Sequence, residues 1–349
     1  MYQGLIHRYF DYLPVREDAI VSLLEGNTPL LRATHLEKKL SLESELYLKF
    51  EGLNPTGSFK DRGMTYAVSK AVEQGAKAII CASTGNTSAS AAAYAAKAGI
   101  DCVVLIPHGN IAYGKLSQAM IHGAKVVQIK GNFDDALRMV VELARIYPIN
   151  VVNSINPHRL QAQQTAAFEV CEVLDGAPDY HVLPVGNAGN ITAYWMGYQK
   201  WYAEKKISHL PHMMGFQAEG AAPIVRGHIV PDPQTVATAI RIGNPASWQA
   251  ALKARDDSGG AIRMISDENI LEAYRLVASV EGYFCEPASA ISIAGVMQLA
   301  KENIFQKGQR VVCTLTGHGL KDPDNAIKQA TQPFVCEPRM EEIAKVLGF

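Results

Sequence analysis

Lys60 stands in the run Asn54-Pro55-Thr56-Gly57-Ser58-Phe59-Lys60-Asp61-Arg62-Gly63, a turn-rich segment that opens into a helix. A strand-like stretch, Glu45 to Phe50, precedes it, and helical apolar spacing follows from Tyr66 to Val72. A lysine at a helix start meets the positive end of the helix dipole. That field disfavours the ammonium and favours the neutral amine, which attacks carbonyls. Lys60 is therefore a candidate Schiff-base lysine. Its bland alternative is a solvated surface lysine.

Gly186-Asn187-Ala188-Gly189-Asn190 is a second candidate. Two glycines in a tight strand-to-helix turn let backbone N–H groups converge on an anion, and the helix dipole adds to their pull. A phosphate suits such a cradle. A dinucleotide loop competes, but the GxGxxG spacing is absent and no clean strand-end acid follows about 20 residues on. A plain structural turn also stays open.

Ser83-Thr84-Gly85-Asn86-Thr87-Ser88 gathers four hydroxyls and one amide around a glycine at the start of another helix. Helix capping accounts for one or two of them. A small carboxylate held by hydroxyls and N–H groups would use them all. The run Asn153-Ser154-Ile155-Asn156-Pro157-His158-Arg159 is similar in kind, and its arginine could grip a phosphate or carboxylate with two bonds. An exposed arginine on a surface loop is the alternative there.

These loops need strands and helices to hold them. The repeating order is apolar strand, glycine turn, helix. Ala78 to Ala82 reads as a strand before the helix Ala89 to Ala98. Asp101 to Pro107 is a strand, Lys115 to His122 a helix, Lys125 to Ile129 a strand, and Phe133 to Tyr147 a helix. Asn150 to Ser154 is a strand or its exit, Arg159 to Leu174 a helix, His181 to Val185 a strand, and Ile191 to Lys205 a helix. Further strands are expected at Met213 to Ala218 and Arg310 to Leu315. The alternation predicts an α/β fold with parallel sheets covered by helices on both faces.

Composition narrows the function. The 349 residues amount to about two domains, and 48% apolar with 19% charged residues allows a large core. A net charge of -1 gives no general attraction to nucleic acid or acidic membranes. Six scattered cysteines predict a reducing, cytoplasmic setting without disulfides or a zinc site, and the histidines show no metal-ligand spacing. The N-terminus has no signal-like apolar stretch, and the alanine-rich run near Ala91 is broken by Lys97 and Asp101.

A Schiff-base lysine, a phosphate cradle and a carboxylate loop together suggest pyridoxal phosphate chemistry. Gly26-Asn27-Thr28-Pro29-Leu30, Gly57 to Gly63, Ser83 to Ser88, Gly186 to Asn190 and Thr316-Gly317-His318-Gly319-Leu320-Lys321-Asp322-Pro323 occur in that order. Across nearly the whole chain this resembles the threonine synthases, of the tryptophan synthase β-subunit-like fold. Thr84 to Ala89 and Thr316 to Lys321 are the most particular of these matches.

The resemblance implies two parallel-sheet, three-layer domains, one of residues 1–52 with 156–349 and an inserted one of residues 53–155. It implies pyridoxal 5'-phosphate on Lys60, with Asn86 at the cofactor's 3-oxygen and Thr316 at its ring nitrogen. Gly186, Asn187, Ala188, Gly189 and Asn190 would hold the cofactor phosphate. Thr84 and Thr87, with Ser83 or Ser88, would take the substrate carboxylate. Ser154 and Arg159, with Asn153, would take a substrate phosphate, and Lys115 is a further candidate for it. Glu286 falls in a run resembling a pocket wall; alone it reads as a helix-start acid. The implied reaction turns O-phospho-L-homoserine and water into L-threonine and phosphate in a homodimer. A threonine or serine dehydratase is the main rival, followed by a nucleotide-binding oxidoreductase and a non-catalytic phosphate-binding module.

Overall fold

The computed structural model describes residues 1–109, 113–131 and 133–349, and of residues 113–115, 133 and 134 only the backbone. Among the described residues ten strands form two sheets. The larger has six strands in the order β1-β2-β10-β7-β8-β9. These are Leu30–Arg32 (β1), Glu45–Phe50 (β2), Tyr180–Pro184 (β7), His212–Ala218 (β8), Ala261–Ile265 (β9) and Arg310–Leu315 (β10). The smaller has four, in the order β5-β4-β3-β6. These are Ala78–Ala82 (β3), Asp101–Pro107 (β4), Lys125–Ile129 (β5) and Ile149–Val151 (β6). All pairings are parallel except that of β1 with β2, where a short edge strand runs antiparallel.

Side-chain alternation along each strand divides the core between the two faces of the sheet. Val182 and Val311 point into one core with Ile270, Val277, Ile291 and Val296, from helices Asp267–Glu281 and Pro287–Lys301. Their neighbours Leu183 and Val312 point into the other with Phe168, Ile191, Tyr194 and Tyr198, from helices Thr165–Leu174 and Gly189–Ala203. The small sheet repeats the pattern, with Ile79 and Cys81 on one face and Ile80 and Ala82 on the other. Sheets buried on both faces read as unbroken apolar runs, which is why these strands were visible in the sequence.

Two expectations change in detail. The helix expected over Arg159 to Leu174 is two helices, Pro157–Gln163 and Thr165–Leu174. At the junction Ala167 N donates to Gln164 O, a tight three-residue spacing, and Thr165 Oγ1 donates back to Ala162 O. Strand β6 is only three residues long, so Asn153 and Ser154 lie in its exit loop.

The first 50 residues supply β1 and β2 to the large sheet, and β2 lies beside β10 near the other end of the chain. All four strands of the small sheet come from one continuous stretch, residues 78–151.

Candidate active site

Each loop singled out above follows the carboxyl end of a parallel strand. The Lys60 turn follows β2, Ser83 to Ser88 follow β3, Asn153 to Arg159 follow β6, Gly186 to Asn190 follow β7, and Thr316 onward follows β10. Ligand crevices of open α/β sheets lie at such ends. Here the carboxyl ends of both sheets converge. Ser58 bridges Gly317, Phe59 N donates to Thr316 O at 2.9 Å, and His318 N donates to Gly57 O at 2.9 Å. Asn187 Nδ2 donates to Ser154 Oγ at 2.9 Å.

Lys60 is the first residue of the helix Lys60–Glu73. The residues around it are pinned. Asp61 accepts from Thr56 N (2.7 Å), Thr56 Oγ1 (2.6 Å) and Ser90 Oγ (2.6 Å). Arg62 forms two-pronged pairs with Glu51 and Glu169, and Lys49 Nζ meets Glu169 Oε2 at 2.7 Å. Lys49, Glu51, Arg62 and Glu169 are all buried, and their charges cancel. Backbone groups complete the cluster, since Asn27 N donates to Glu169 Oε1 and Lys49 Nζ donates to Thr28 O, both at 2.7 Å.

No carboxylate pairs with Lys60 Nζ among the described residues; it lies 4.2 Å from the centre of the Phe59 ring. Burial, then the nearby Arg159 charge, pushes its pKa down to about 7, while Glu286 opposes the shift. To the helix dipole expected from the sequence, the structure adds burial and a second cation as causes.

Arg159 is 1% exposed. Its Nη1 donates to Val152 O at 3.1 Å, its Nε has no partner, and no carboxylate faces it among the described residues. Burial lowers its pKa to about 10. A buried cation left this way has hydrogen-bonding capacity suited to an anion. Ser154 lies in the same loop and is joined to Asn187 of the cradle. Asn153 is used differently. Its amide both accepts from Ala82 N (3.0 Å) and donates to Ala82 O (2.9 Å), tying β3 to the β6 exit. The side chain of Lys115 lies outside the described residues.

The cradle has a distinctive backbone. Ala188 has φ 64, and no side chain caps the helix Gly189–Ala203 that it opens. Its first N–H groups are thus unclaimed by a cap. A Cβ on Gly186 would stand 3.0 Å from Ile240 Cα, so the turn is pressed against backbone where only hydrogen fits. Asn190 Nδ2 is buried without a partner, while Asn187 Oδ1 accepts from Ala246 N at 2.9 Å.

The Asn86 loop faces both regions. No side chain caps the helix Asn86–Ala98. Ser88 Oγ is taken by Gly85 O at 2.8 Å, and Ser83 Oγ accepts from Gly85 N at 3.3 Å. The hydroxyls of Thr84 and Thr87 have no partner among the described residues. Asn86 Nδ2 lies 3.2 Å from each carboxylate oxygen of Glu286. Thr316 is 5% exposed and its Oγ1 lies 2.9 Å from Ser289 Oγ. Ser289 had not been singled out; its place three residues after Glu286, one turn into a helix, was the available signal.

Pyridoxal phosphate would need an amine that is neutral near pH 7, a cradle for its phosphate and a polar partner for its ring. Lys60, the uncapped helix behind Ala188 with the orphan Asn190 amide, and the Ser289–Thr316 hydroxyl pair fit those needs.

Comparison with known proteins agrees. A family model described as "Pyridoxal-phosphate dependent enzyme" matches residues 21–317. The threonine synthase of Bacillus sp. (strain ULM1) is 57% identical over 328 residues, spanning 94% of this chain and 92% of that protein. That of Synechocystis sp. (strain ATCC 27184 / PCC 6803 / Kazusa) is 54% identical over 351 residues, spanning 100% and 91%. Among solved structures, maize serine racemase superposes with a TM-score of 0.76 at 18% identity, covering 94% of this chain and 97% of that one. The processed form of threonine deaminase isoform 2 from Solanum lycopersicum also scores 0.76, at 20% identity, with coverage of 93% and 92%. At such identities these structures speak for the fold alone.

Proposed function

The chain belongs to the family of pyridoxal-phosphate dependent enzymes, and from that premise we propose how its residues act as a threonine synthase, converting O-phospho-L-homoserine and water to L-threonine and phosphate. When bound, the cofactor supplies a covalent handle for the substrate amine and a sink for the electrons left when a proton is removed beside it. Lys60 would be the attachment point and, once displaced, the general base for the α-proton; it would have to hand that proton on before it could take the β-proton as well. Gly186, Asn187, Ala188, Gly189 and Asn190 would hold the cofactor phosphate. Asn86 would serve its 3-oxygen. Thr316, supported by Ser289, would serve its ring nitrogen as a neutral hydroxyl, which does not force protonation as a carboxylate would.

Thr84 and Thr87, whose hydroxyls have no other partner among the described residues, bind the substrate carboxylate with Ser83. Ser88 is less suited, its hydroxyl being held by Gly85. Arg159 and Ser154 bind the substrate phosphate, and Asn153 keeps their loop in place through Ala82. Water is kept out until phosphate has left by closure of the small unit on the large one. The unit boundaries we propose are 1–52 with 156–349, and 53–155, supported by the single stretch that supplies the small sheet.

The observation that carries this reading is Arg159, a buried guanidinium without a counter-ion among the described residues, in the loop that also carries Ser154. A dehydratase acting on free threonine or serine has no second anion, beyond the carboxylate given to Thr84 and Thr87, to place there. The test compares product formation from O-phospho-L-homoserine with that from threonine and serine. Turnover of only the free amino acids would replace the proposal with a dehydratase. Borohydride reduction followed by peptide mapping should mark Lys60, and Lys60→Ala should abolish the label.

We also propose a homodimer. Phe334, Val335, Met340, Ile343, Val346, Leu347 and Phe349 are exposed in the C-terminal segment, and an eight-residue helix, Met340–Leu347, is marginal in water alone. Two such segments exchanged about a two-fold axis supply apolar area suited to a stable interface. A cytoplasmic setting is supported by six free cysteines, five of them buried.

A further inference from the structure

One buried acid in the site has no task in the chemistry above. Glu286 is 4% exposed and precedes the helix Pro287–Lys301, yet its side chain does not cap that helix. It turns toward Asn86 instead. Backbone contacts fix it there, since Glu286 N donates to Gly317 O at 3.0 Å and Cys285 bridges His318. A Cβ on Gly317 would stand 2.5 Å from Glu286 Oε1, so glycine there leaves the acid its observed position. The charged groups around it are Lys60, Lys321 and Asp322, and burial raises its pKa.

An amide side chain can turn over, exchanging oxygen for nitrogen at nearly the same place. An ionised carboxylate only accepts hydrogen bonds, so it tolerates the nitrogen and repels the oxygen. Asn86 Nδ2 is equidistant from the two Glu286 oxygens. One N–H pointing between them leaves the second N–H free. We propose that Glu286 is a positioning residue that fixes the Asn86 amide in the orientation that presents this second N–H to the cofactor's 3-oxygen. The inference rests on the role given to Asn86 above.

A double-mutant cycle on the holoenzyme tests it, read by cofactor dissociation and by the absorption spectrum of the lysine-bound cofactor. Glu286→Ala should weaken cofactor retention about tenfold and shift the spectrum in the wild-type background, the size of one well-placed hydrogen bond. In an Asn86→Ala background it should add nothing. Glu286→Gln, which keeps the volume but can turn either its oxygen or its nitrogen toward Asn86, should restore only part of the loss. If circular dichroism shows the alanine variant unfolded, Glu286→Met fills the volume without an acceptor and takes its place in the cycle. Equal effects of Glu286→Ala in both backgrounds, or no effect in the first, overturn the inference. An Asn86→Ala protein with unchanged spectrum and retention instead overturns the role of Asn86 itself.

Discussion

Arg159 is close enough to Lys60 to raise the cost of charging it, and neither is offered a carboxylate in an ion pair among the described residues. Their reactivity follows from that. With a pKa of about 7, Lys60 is mostly ammonium below pH 7 and mostly amine above it. Covalent capture of pyridoxal phosphate by the cofactor-free protein should therefore accelerate about tenfold per pH unit up to pH 7 and level off beyond it, as followed by stopped-flow absorbance. Arg159→Met should raise KM for the phosphorylated substrate about 100-fold, the effect of losing charge-assisted bonds of roughly 2.7 kcal/mol. The same variant should unfold at no lower urea concentration than the parent, because it removes an unpaired buried charge. Residues of this kind were legible because several polar groups crowd one glycine turn, more than capping needs. Less legible was which of them are already engaged. Asn153 and Ser88 belong to the same polar runs as Ser154 and Thr87, but their side chains are held by the backbone of Ala82 and Gly85. Those bonds depend on tertiary placement, which local pattern does not encode.

The helix Lys60–Glu73 is set in place by ions. Arg62, two residues from the reactive lysine, joins the β2 exit to the helix Thr165–Leu174 through Glu51 and Glu169. Glu169→Gln leaves Arg62 and Lys49 short of a buried counter-charge and should cost about 3–5 kcal/mol, seen as a lower urea midpoint. The cations hold the Glu169 pKa far below its ordinary 4.5, outweighing the burial that alone would raise it. Since the folded-state pKa is depressed, this stabilisation is complete above pH 4.5 and is lost as pH falls below it. The protein should thus lose unfolding free energy steadily from pH 4.5 downward, and Glu169→Gln should flatten that slope. In the sequence Arg62 was one charge within a motif, and Lys49 lay inside an apolar strand. Nothing local showed that they would meet at Glu169, 107 and 120 residues further along.

For the molecule as a whole, the parallel sheets and their helices could be read from alternation alone, and the loops at strand ends followed. The mixed edge at β1 could not, because three residues carry too little pattern to show direction. The apolar C-terminal helix also escaped, since its partner in our reading is another molecule. Ending the chain after Gln329 should shift sedimentation from dimer to monomer while circular dichroism stays close to that of the full protein. The placement of β2 beside β10 has a consequence of its own. A chain emerging from the ribosome has made Phe50 roughly 260 residues before Arg310, an interval of about 13–50 s at 5–20 residues per second. Throughout it one edge of β2 waits without its neighbour, whereas all four strands of the smaller sheet exist once Val151 has been made. Birth order thus makes the smaller sheet the first able to fold, and the nascent chain's exposed strand the natural client of a chaperone.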